Sequence, residues 1–224
     1  IIQPEEMTVT LTHFGFAKRT SMDTYKAQNR GGRGITGQTT REEDFVEHLF
    51  GCNTHDEIMF FTNMGRVFRM KCYRIPEAGR TAKGTAIVNL LNLKEGEKVT
   101  TLFPLWEEGK YLNLITKAGI IKKTPIEEFD NIRKGGMIAQ NLRDGDELIA
   151  AIMTDGGDEI IVGTKKGKSI RFSEEDVRPM GRSATGVKAI TLEENDSVVG
   201  AEKVRPGASI LSISENGMGK RTPE

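Results

Sequence analysis

Ile160-Ile161-Val162-Gly163-Thr164-Lys165-Lys166-Gly167-Lys168-Ser169-Ile170-Arg171 reads as one unit: a short apolar run, a tight turn and a returning strand. The turn needs a residue at positive φ, which glycine accepts at no steric cost. The same Thr/Ser-x-x-Gly turn recurs as Thr12–Gly15, Thr62–Gly65, Thr116–Gly119 and Ser214–Gly217, with glycine-to-glycine intervals of 50, 54, 48 and 50 residues. Two further landmarks keep phase with it. A basic residue precedes a glycine at Arg30/Gly34, Arg80/Gly84, Arg133/Gly136 and Arg182/Gly186, the third copy being one residue tighter. An acidic residue stands two before an aliphatic one at Asp44/Val46, Glu97/Val99, Asp146/Leu148 and Asp196/Val198. Ile58-Met59-Phe60-Phe61 and Ile210-Leu211-Ser212-Ile213 lead into turns as Ile160 does, and Val67-Phe68-Arg69 and Ile120-Ile121-Lys122 return from them. No segment has a long helical period, and Thr124 to Phe129 has room for one turn. Four short strands in every ~50 residues, repeated, is the pattern of an all-β propeller-like array of blades.

Four complete units and the opening hairpin of a fifth are expected, at about 9–57, 58–110, 111–158, 159–208 and 209–224, forming one domain over 1–224. The 224 residues hold 32 basic and 32 acidic side chains, 37% apolar residues and 25 glycines, an ordinary globular composition with spaced glycines. The longest apolar run, Leu148 to Met153, is far short of the ~18 residues of a membrane span. No charged segment followed by an apolar one stands at the start, so nothing there reads as a signal peptide. Cys52 and Cys72 make no disulfide framework and fit a reducing cytosol. Ile1 is not a methionine and Glu224 falls inside a repeat, so the chain reads as a piece of a longer protein.

The zero net charge hides an alternation. Lys18 to Arg41 holds six basic residues against Asp23, and Arg66 to Lys83 holds six against Glu77. Lys165 to Lys188 holds seven basic against three acidic. Glu42 to Glu57 holds six acidic residues and no basic one, and Arg143 to Glu159 holds six acidic against Arg143 alone. In a repeated array this phasing puts positive charge at the same radial position of every blade, which is the footprint of a polyanion ligand.

The densest signal is Gln28-Asn29-Arg30-Gly31-Gly32-Arg33-Gly34. Glycines let a duplex approach the backbone, and arginine grips a phosphate bidentately. This heptapeptide resembles the gyrase-A box of the C-terminal domain of the DNA gyrase A protein, and the Ala17-Lys18-Arg19-Thr20, Ile121-Lys122-Lys123-Thr124 and Gly219-Lys220-Arg221-Thr222 turns resemble that family's blades. Residues 77–84, 131–136 and 179–186 look like degenerate echoes of the box, so the resemblance covers essentially the whole chain. It implies a β-pinwheel, usually of six blades, that wraps duplex DNA around a basic perimeter with a fixed hand, so that the parent enzyme introduces negative supercoils with ATP. It also implies that the catalytic tyrosine and breakage-reunion machinery lie in the N-terminal part of gyrase A and the ATPase, with its magnesium, in gyrase B, the two forming an A2B2 assembly. This chain would then be non-catalytic, cofactor-free and metal-free, in the bacterial cytoplasm with the nucleoid. Asn29 stands where many members carry a basic residue, which tunes the box down slightly.

Phosphate contacts are expected first from Arg30 and Arg33, then from a rim of Lys18, Arg19, Arg66, Arg69, Arg80, Lys83, Lys122, Lys123, Lys168, Arg171, Arg182 and Arg221. Base readout is not expected, since no recognition helix is apparent. Gly163 to Ser169 imitates a P-loop but has the wrong glycine spacing and sits on a hairpin. His48, Cys52 and His55 are loosely metal-spaced without a fourth ligand, and Trp106, Phe14, Phe16 and Tyr25 read as packing residues. Two alternatives are a topoisomerase IV-type domain, which binds DNA without strong wrapping, and a propeller-like protein-interaction platform whose acidic loops make the contacts.

Overall fold

The computed structural model describes residues 1–22, 44–105 and 108–223. Its strands are β1 (Glu6–Thr12), β2 (Phe16–Ser21), β3 (Val46–Asn53), β4 (Glu57–Thr62), β5 (Arg66–Lys71), β6 (Thr85–Ala86), β7 (Val99–Pro104), β8 (Tyr111–Thr116), β9 (Ile120–Pro125), β10 (Met137–Ile138), β11 (Leu148–Thr154), β12 (Glu159–Thr164), β13 (Ser169–Ser173), β14 (Val187–Lys188), β15 (Val198–Lys203), β16 (Ser209–Ile213) and β17 (Gly219–Pro223). Among the described residues, 3-10 turns include Cys72–Arg74, Ile87–Asn89, Ile126–Phe129 and Glu174–Asp176, so the turn expected near Thr124–Phe129 is there in its tighter form.

Each blade is an antiparallel sheet, and three of the four carry one borrowed strand. The orders are β3-β1-β2-β6, β7-β4-β5-β10, β11-β8-β9-β14 and β15-β12-β13, with β16 and β17 forming a two-stranded ribbon. The two-residue strands β6, β10 and β14 each cross to the outer edge of the preceding repeat's sheet, where they pair with β2, β5 and β9. At the other edge, β3 lies against β7, β7 against β11, and β11 against β15. The long third strands therefore form the centre of a propeller-like array, and the borrowed strands its perimeter.

The hairpin turn is built the same way five times. Gly15, Gly65, Gly119, Gly167 and Gly217 have φ between 75° and 87°. Each donates its N–H to the carbonyl of the Thr or Ser three residues earlier, at 2.9–3.0 Å. The hydroxyl of that Thr or Ser accepts the N–H four residues on, from Phe16, Arg66, Ile120, Lys168 and Met218, at 3.1–3.3 Å. Hydroxyl and glycine together satisfy the turn's backbone, which is why both letters recur. The acidic landmark closes it from the next strand: Asp44, Asp146 and Asp196 each accept the N–H of the residue before the turn glycine, at 2.9 Å.

Both faces of β4 are buried, and its sequence runs continuously apolar from Ile58 to Phe61, whereas β1 is buried on both faces with threonines alternating between its apolar residues. In β4, Ile58 and Phe60 enter a core shared with the first sheet (Met7, Val9, Leu11, Cys52), while Met59 and Phe61 enter the next core with Leu112, Leu114 and Met153. Each such side chain contributes about 1.5–3 kcal/mol of burial. Ile115, Ile121, Ile152, Ile160 and Val162 fill the third core. On the terminal ribbon, Leu211 and Ile213 remain exposed.

Candidate nucleic-acid interface

The loops that lead into the borrowed strands carry the basic landmark, so the topology puts those residues on the perimeter. Arg80 and Lys83 precede β6, Arg133 and Lys134 precede β10, and Arg178 and Arg182 precede β14, on which Lys188 sits. Arg74, Arg133, Lys134, Arg178 and Lys188 are exposed, and none pairs with a carboxylate among the described residues. One shallow groove is lined by Arg69, Arg74, Arg133 and Lys134 together with Leu90 and Ile132. The neighbouring cleft, of about 470 Å³, is lined by Arg133 and Arg182 with Glu127, Glu128 and Asn131. Arg133 belongs to both, and it links cations of three successive repeats into one run. Arg74, Arg133, Lys134, Arg178 and Lys188 were not among the expected contacts, although the spacing of the basic landmark already marked Arg133.

Two expected rim cations are half-buried on these loops: Lys83, whose Nζ lies 3.8 Å from the centre of the Phe16 ring, and Arg80. Arg182 lies at the cleft just described. Arg221 is exposed on β17. The box Gln28, Asn29, Arg30, Gly31, Gly32, Arg33 and Gly34 lies outside the described residues, as do Tyr25 and Trp106.

Three expected contacts are not at the surface. Lys18 and Lys122 are fully buried and Lys123 nearly so. Lys18 Nζ donates to the carbonyls of Gly79, Arg80 and Ala82 at 2.9, 2.7 and 3.1 Å. Lys122 Nζ donates to the carbonyls of Ala139, Gly181 and Arg182. Lys123 Nζ donates to the Glu174 carbonyl at 2.8 Å, 3.9 Å from its carboxylate and 4.8 Å from the Tyr111 ring centre. A lysine reads the same in a sequence whether its ammonium meets water or a ring of carbonyls, and only the fold separates the two.

Other expected contacts are engaged in ion pairs. Arg66 binds the buried Glu97 at 2.7 Å and the Gly135 carbonyl, with its guanidinium 4.9 Å from the Phe68 ring centre. Arg19 donates to the Ile75 carbonyl at 2.7 Å and lies 3.5 Å from Glu77. Arg69 lies 3.3 Å from Glu57 and donates to the Phe129 carbonyl. Lys168–Glu193 and Arg171–Glu159, each at 2.5 Å, are half-exposed pairs, weak enough for a phosphate to displace the carboxylate.

The acidic landmarks serve the turns rather than a ligand. Burial alone would raise the Asp44 and Asp196 carboxyls, but N–H donors (Phe14 and Phe45; Lys166 and Ser197) and the turn threonines Thr12 and Thr164 hold them below the usual carboxylate range. Gly163 to Ser169 is the β12–β13 hairpin. Cys52 Sγ points to Cys72 Sγ, 3.2 Å away in the first core, and a His55 ring nitrogen is 2.9 Å from the Ile2 carbonyl, so the His48–Cys52–His55 spacing gathers no ligand set. Asp155, Asp158 and Glu174 converge, but Glu174 already accepts from the Thr154 hydroxyl and the N–H groups of Gly156 and Asp158.

Relatives share this architecture and this sequence pattern. The sequence model of the family described as DNA gyrase C-terminal domain, beta-propeller, matches residues 6–53, 56–105, 110–155, 158–205 and 208–224. The DNA gyrase A protein of Halalkalibacterium halodurans is 53% identical over 193 residues, covering 85% of this chain and 23% of that protein. The DNA gyrase A protein of Staphylococcus aureus is 44% identical over 228 residues, covering 100% of this chain and 26% of that protein. This chain therefore spans about a quarter of the length of those relatives. Among solved structures, a DNA gyrase A C-terminal domain superposes with a TM-score of 0.75 at 32% identity, covering 97% of this chain and 71% of that one. The C-terminal domain of DNA topoisomerase IV superposes with a TM-score of 0.77 at 26% identity, covering 99% of this chain and 68% of that one. Five matched repeats and a shared fold lead to one statement: this chain belongs to the DNA gyrase C-terminal domain family.

Proposed function

We propose that this chain binds duplex DNA along its perimeter without reading sequence, bends it, and wraps it with one hand so that a parent gyrase introduces negative supercoils. The observation that carries this reading is the run Arg74, Arg133, Lys134 and Arg182, which joins three repeats through two adjoining grooves. Bending 20–30 bp by 40–90° costs on the order of 1–6 kcal/mol. Phosphate contacts that release counterions offset it, each lowering log K by about 0.9 per decade of salt. Cations repeated at one radial position distribute these contacts along a curved path.

In this reading the chain cuts nothing and holds no cofactor. Strand breakage belongs to the N-terminal part of gyrase A and ATP hydrolysis with magnesium to gyrase B, its partners in an A2B2 assembly. Among the described residues no helix is long and apolar enough to cross a membrane. The setting proposed is the bacterial cytoplasm, with the nucleoid. The likeness to the topoisomerase IV domain favours a second reading, DNA binding without strong wrapping. The two folds superpose about equally well, and Gln28–Gly34 supports the gyrase reading because the resemblance ties that motif to gyrase.

The test is duplex binding across a salt series, for the parent and for Arg74→Ala/Arg133→Ala/Lys134→Ala/Arg182→Ala. Affinity that falls steeply with salt, with a slope shallower by about 3–4 in the variant, supports the reading. No affinity for duplex at low salt, or an unchanged variant, overturns it and favours a protein-interaction platform.

A further inference from the structure

Lys18 and Lys122 occupy one register, three residues after the turn glycines Gly15 and Gly119. Both ammonium groups are sealed from water and reach the following repeat. There Lys18 meets the carbonyls of Gly79, Arg80 and Ala82, and Lys122 those of Gly181 and Arg182. The loops they grip have matching sequences, Gly79-Arg80-Thr81-Ala82-Lys83-Gly84 and Gly181-Arg182-Ser183-Ala184-Thr185-Gly186. Both close on the same bond, from the alanine N–H to the first glycine carbonyl at 3.1 Å. A buried cation persists only when acceptors surround it. Here the acceptors are main-chain oxygens, drawn inward onto the lysine, where they do not face an approaching phosphate.

The intervening repeat is the control within the molecule. Phe68 holds the register position there, and the loop it faces, Asn131-Ile132-Arg133-Lys134-Gly135-Gly136, lacks the Gly-Arg-x-Ala sequence. A Cβ on Gly136 would lie 2.8 Å from the Phe68 ring, so this loop packs on an aromatic face instead. Across the three repeats whose following loop is described, lysine and the Gly-Arg-x-Ala loop occur together at Lys18 and Lys122 and are both missing at Phe68; Lys220 holds the same register on the terminal ribbon, where it is exposed.

We propose that Lys18 and Lys122 are positioning residues of the DNA interface, each buried ammonium latching, across a repeat boundary, the carbonyls of the loop that presents Arg80 or Arg182 to phosphate. The assignment rests on the DNA-binding reading above. Burial pushes both ammonium pKa values down, that of Lys122 to about 7, with Glu128 raising it and Arg182 lowering it.

Lys18→Met and Lys122→Met remove the charge at near-constant volume. Hydrogen exchange of amides 79–84 and 181–186 in the free protein reads the latch without DNA. The latch predicts exchange at least ten-fold faster in 79–84 for Lys18→Met and in 181–186 for Lys122→Met, each leaving the other loop unchanged. Loop exchange at the parent's rate, or equal acceleration everywhere, overturns it. Should either variant fail to fold, Lys18→Gln or Lys122→Gln keeps two N–H donors and is to show intermediate protection. Duplex affinity is the second arm. Lys18→Met and Arg80→Ala are to weaken binding by similar factors, and the double variant no more than either alone. Multiplying factors would reduce Lys18 to a merely structural residue. A parent without duplex affinity refutes the DNA reading itself, and loop exchange still decides whether the lysines latch.

Discussion

Strand exchange makes Gly186 one of the most constrained residues of the molecule. It has φ +111° and precedes β14, and a Cβ there would lie 2.3 Å from the Ile121 carbonyl oxygen. That oxygen cannot yield, because Ile121 is paired on one side with Ile115 and on the other with Val187. Gly186→Ala therefore combines a strained backbone, about 1–3 kcal/mol, with loss of the ladder bonds of the borrowed strand, about 1 kcal/mol each. The expected loss is about 3–5 kcal/mol, a large share of the ~5–15 kcal/mol that holds a domain. Gly181, in the same loop, has no positive φ and open space within 4 Å of its Cβ position, so Gly181→Ala should stay within about 0.5 kcal/mol of the parent. Urea unfolding followed by circular dichroism measures both. A Gly186→Ala variant within about 1 kcal/mol of the parent, or no less stable than Gly181→Ala, would refute the argument that this close approach ties the repeats together.

Glu97 is buried and accepts from Thr62, Arg66 and Lys94 at 2.7, 2.7 and 2.9 Å, so Glu97→Ala strands a guanidinium and costs about 3–5 kcal/mol. A melting temperature within about 2 °C of the parent's would contradict this. Lys122 titrates at about 7 in the fold because burial disfavours its charge, whereas an unfolded lysine titrates near ~10.4. Between those values the unfolded chain binds the extra proton, so stability rises with pH across the window, by at most about 1.4 kcal/mol per unit. Lys122→Met is to flatten that segment of the stability profile, and an unaltered segment would count against the assignment. Cys52 and Cys72 are at most 5% exposed, so a maleimide should label them only as fast as the protein opens. Rapid stoichiometric labelling of the native protein would contradict their burial.

The repeat was legible because its turn demands two specific chemistries, a hydroxyl to accept an N–H four residues on and a glycine at positive φ. Short apolar runs such as Ile58 to Phe61 marked strands, but that β1, alternating Met7, Val9 and Leu11 with threonines, is buried on both faces shows only in the fold. The borrowed strands were not legible, since two residues such as Val187 and Lys188 carry no period. Their effect is to move the outer strand of each blade to its neighbour, a property of the whole array. The basic landmark at Arg80, Arg133 and Arg182 falls on the loops that lead into the borrowed strands. Counting lysines beside turns failed at Lys18, Lys122 and Lys123, where carbonyls from the following repeat take the place of solvent. The acidic residues Asp44, Asp146 and Asp196 read as a phased landmark two residues before an aliphatic one, and their bonds to turn N–H groups appear only when the third strand folds back on the hairpin.

Chiral wrapping changes DNA topology, and the linking number reads it. The chain is bound to nicked plasmid, the nick is ligated, and the linking number is read against protein added. Wrapping with one hand gives a shift of one sign that grows with protein and is lost in Arg30→Ala/Arg33→Ala. Salt-sensitive binding without any shift in linking number would contradict it.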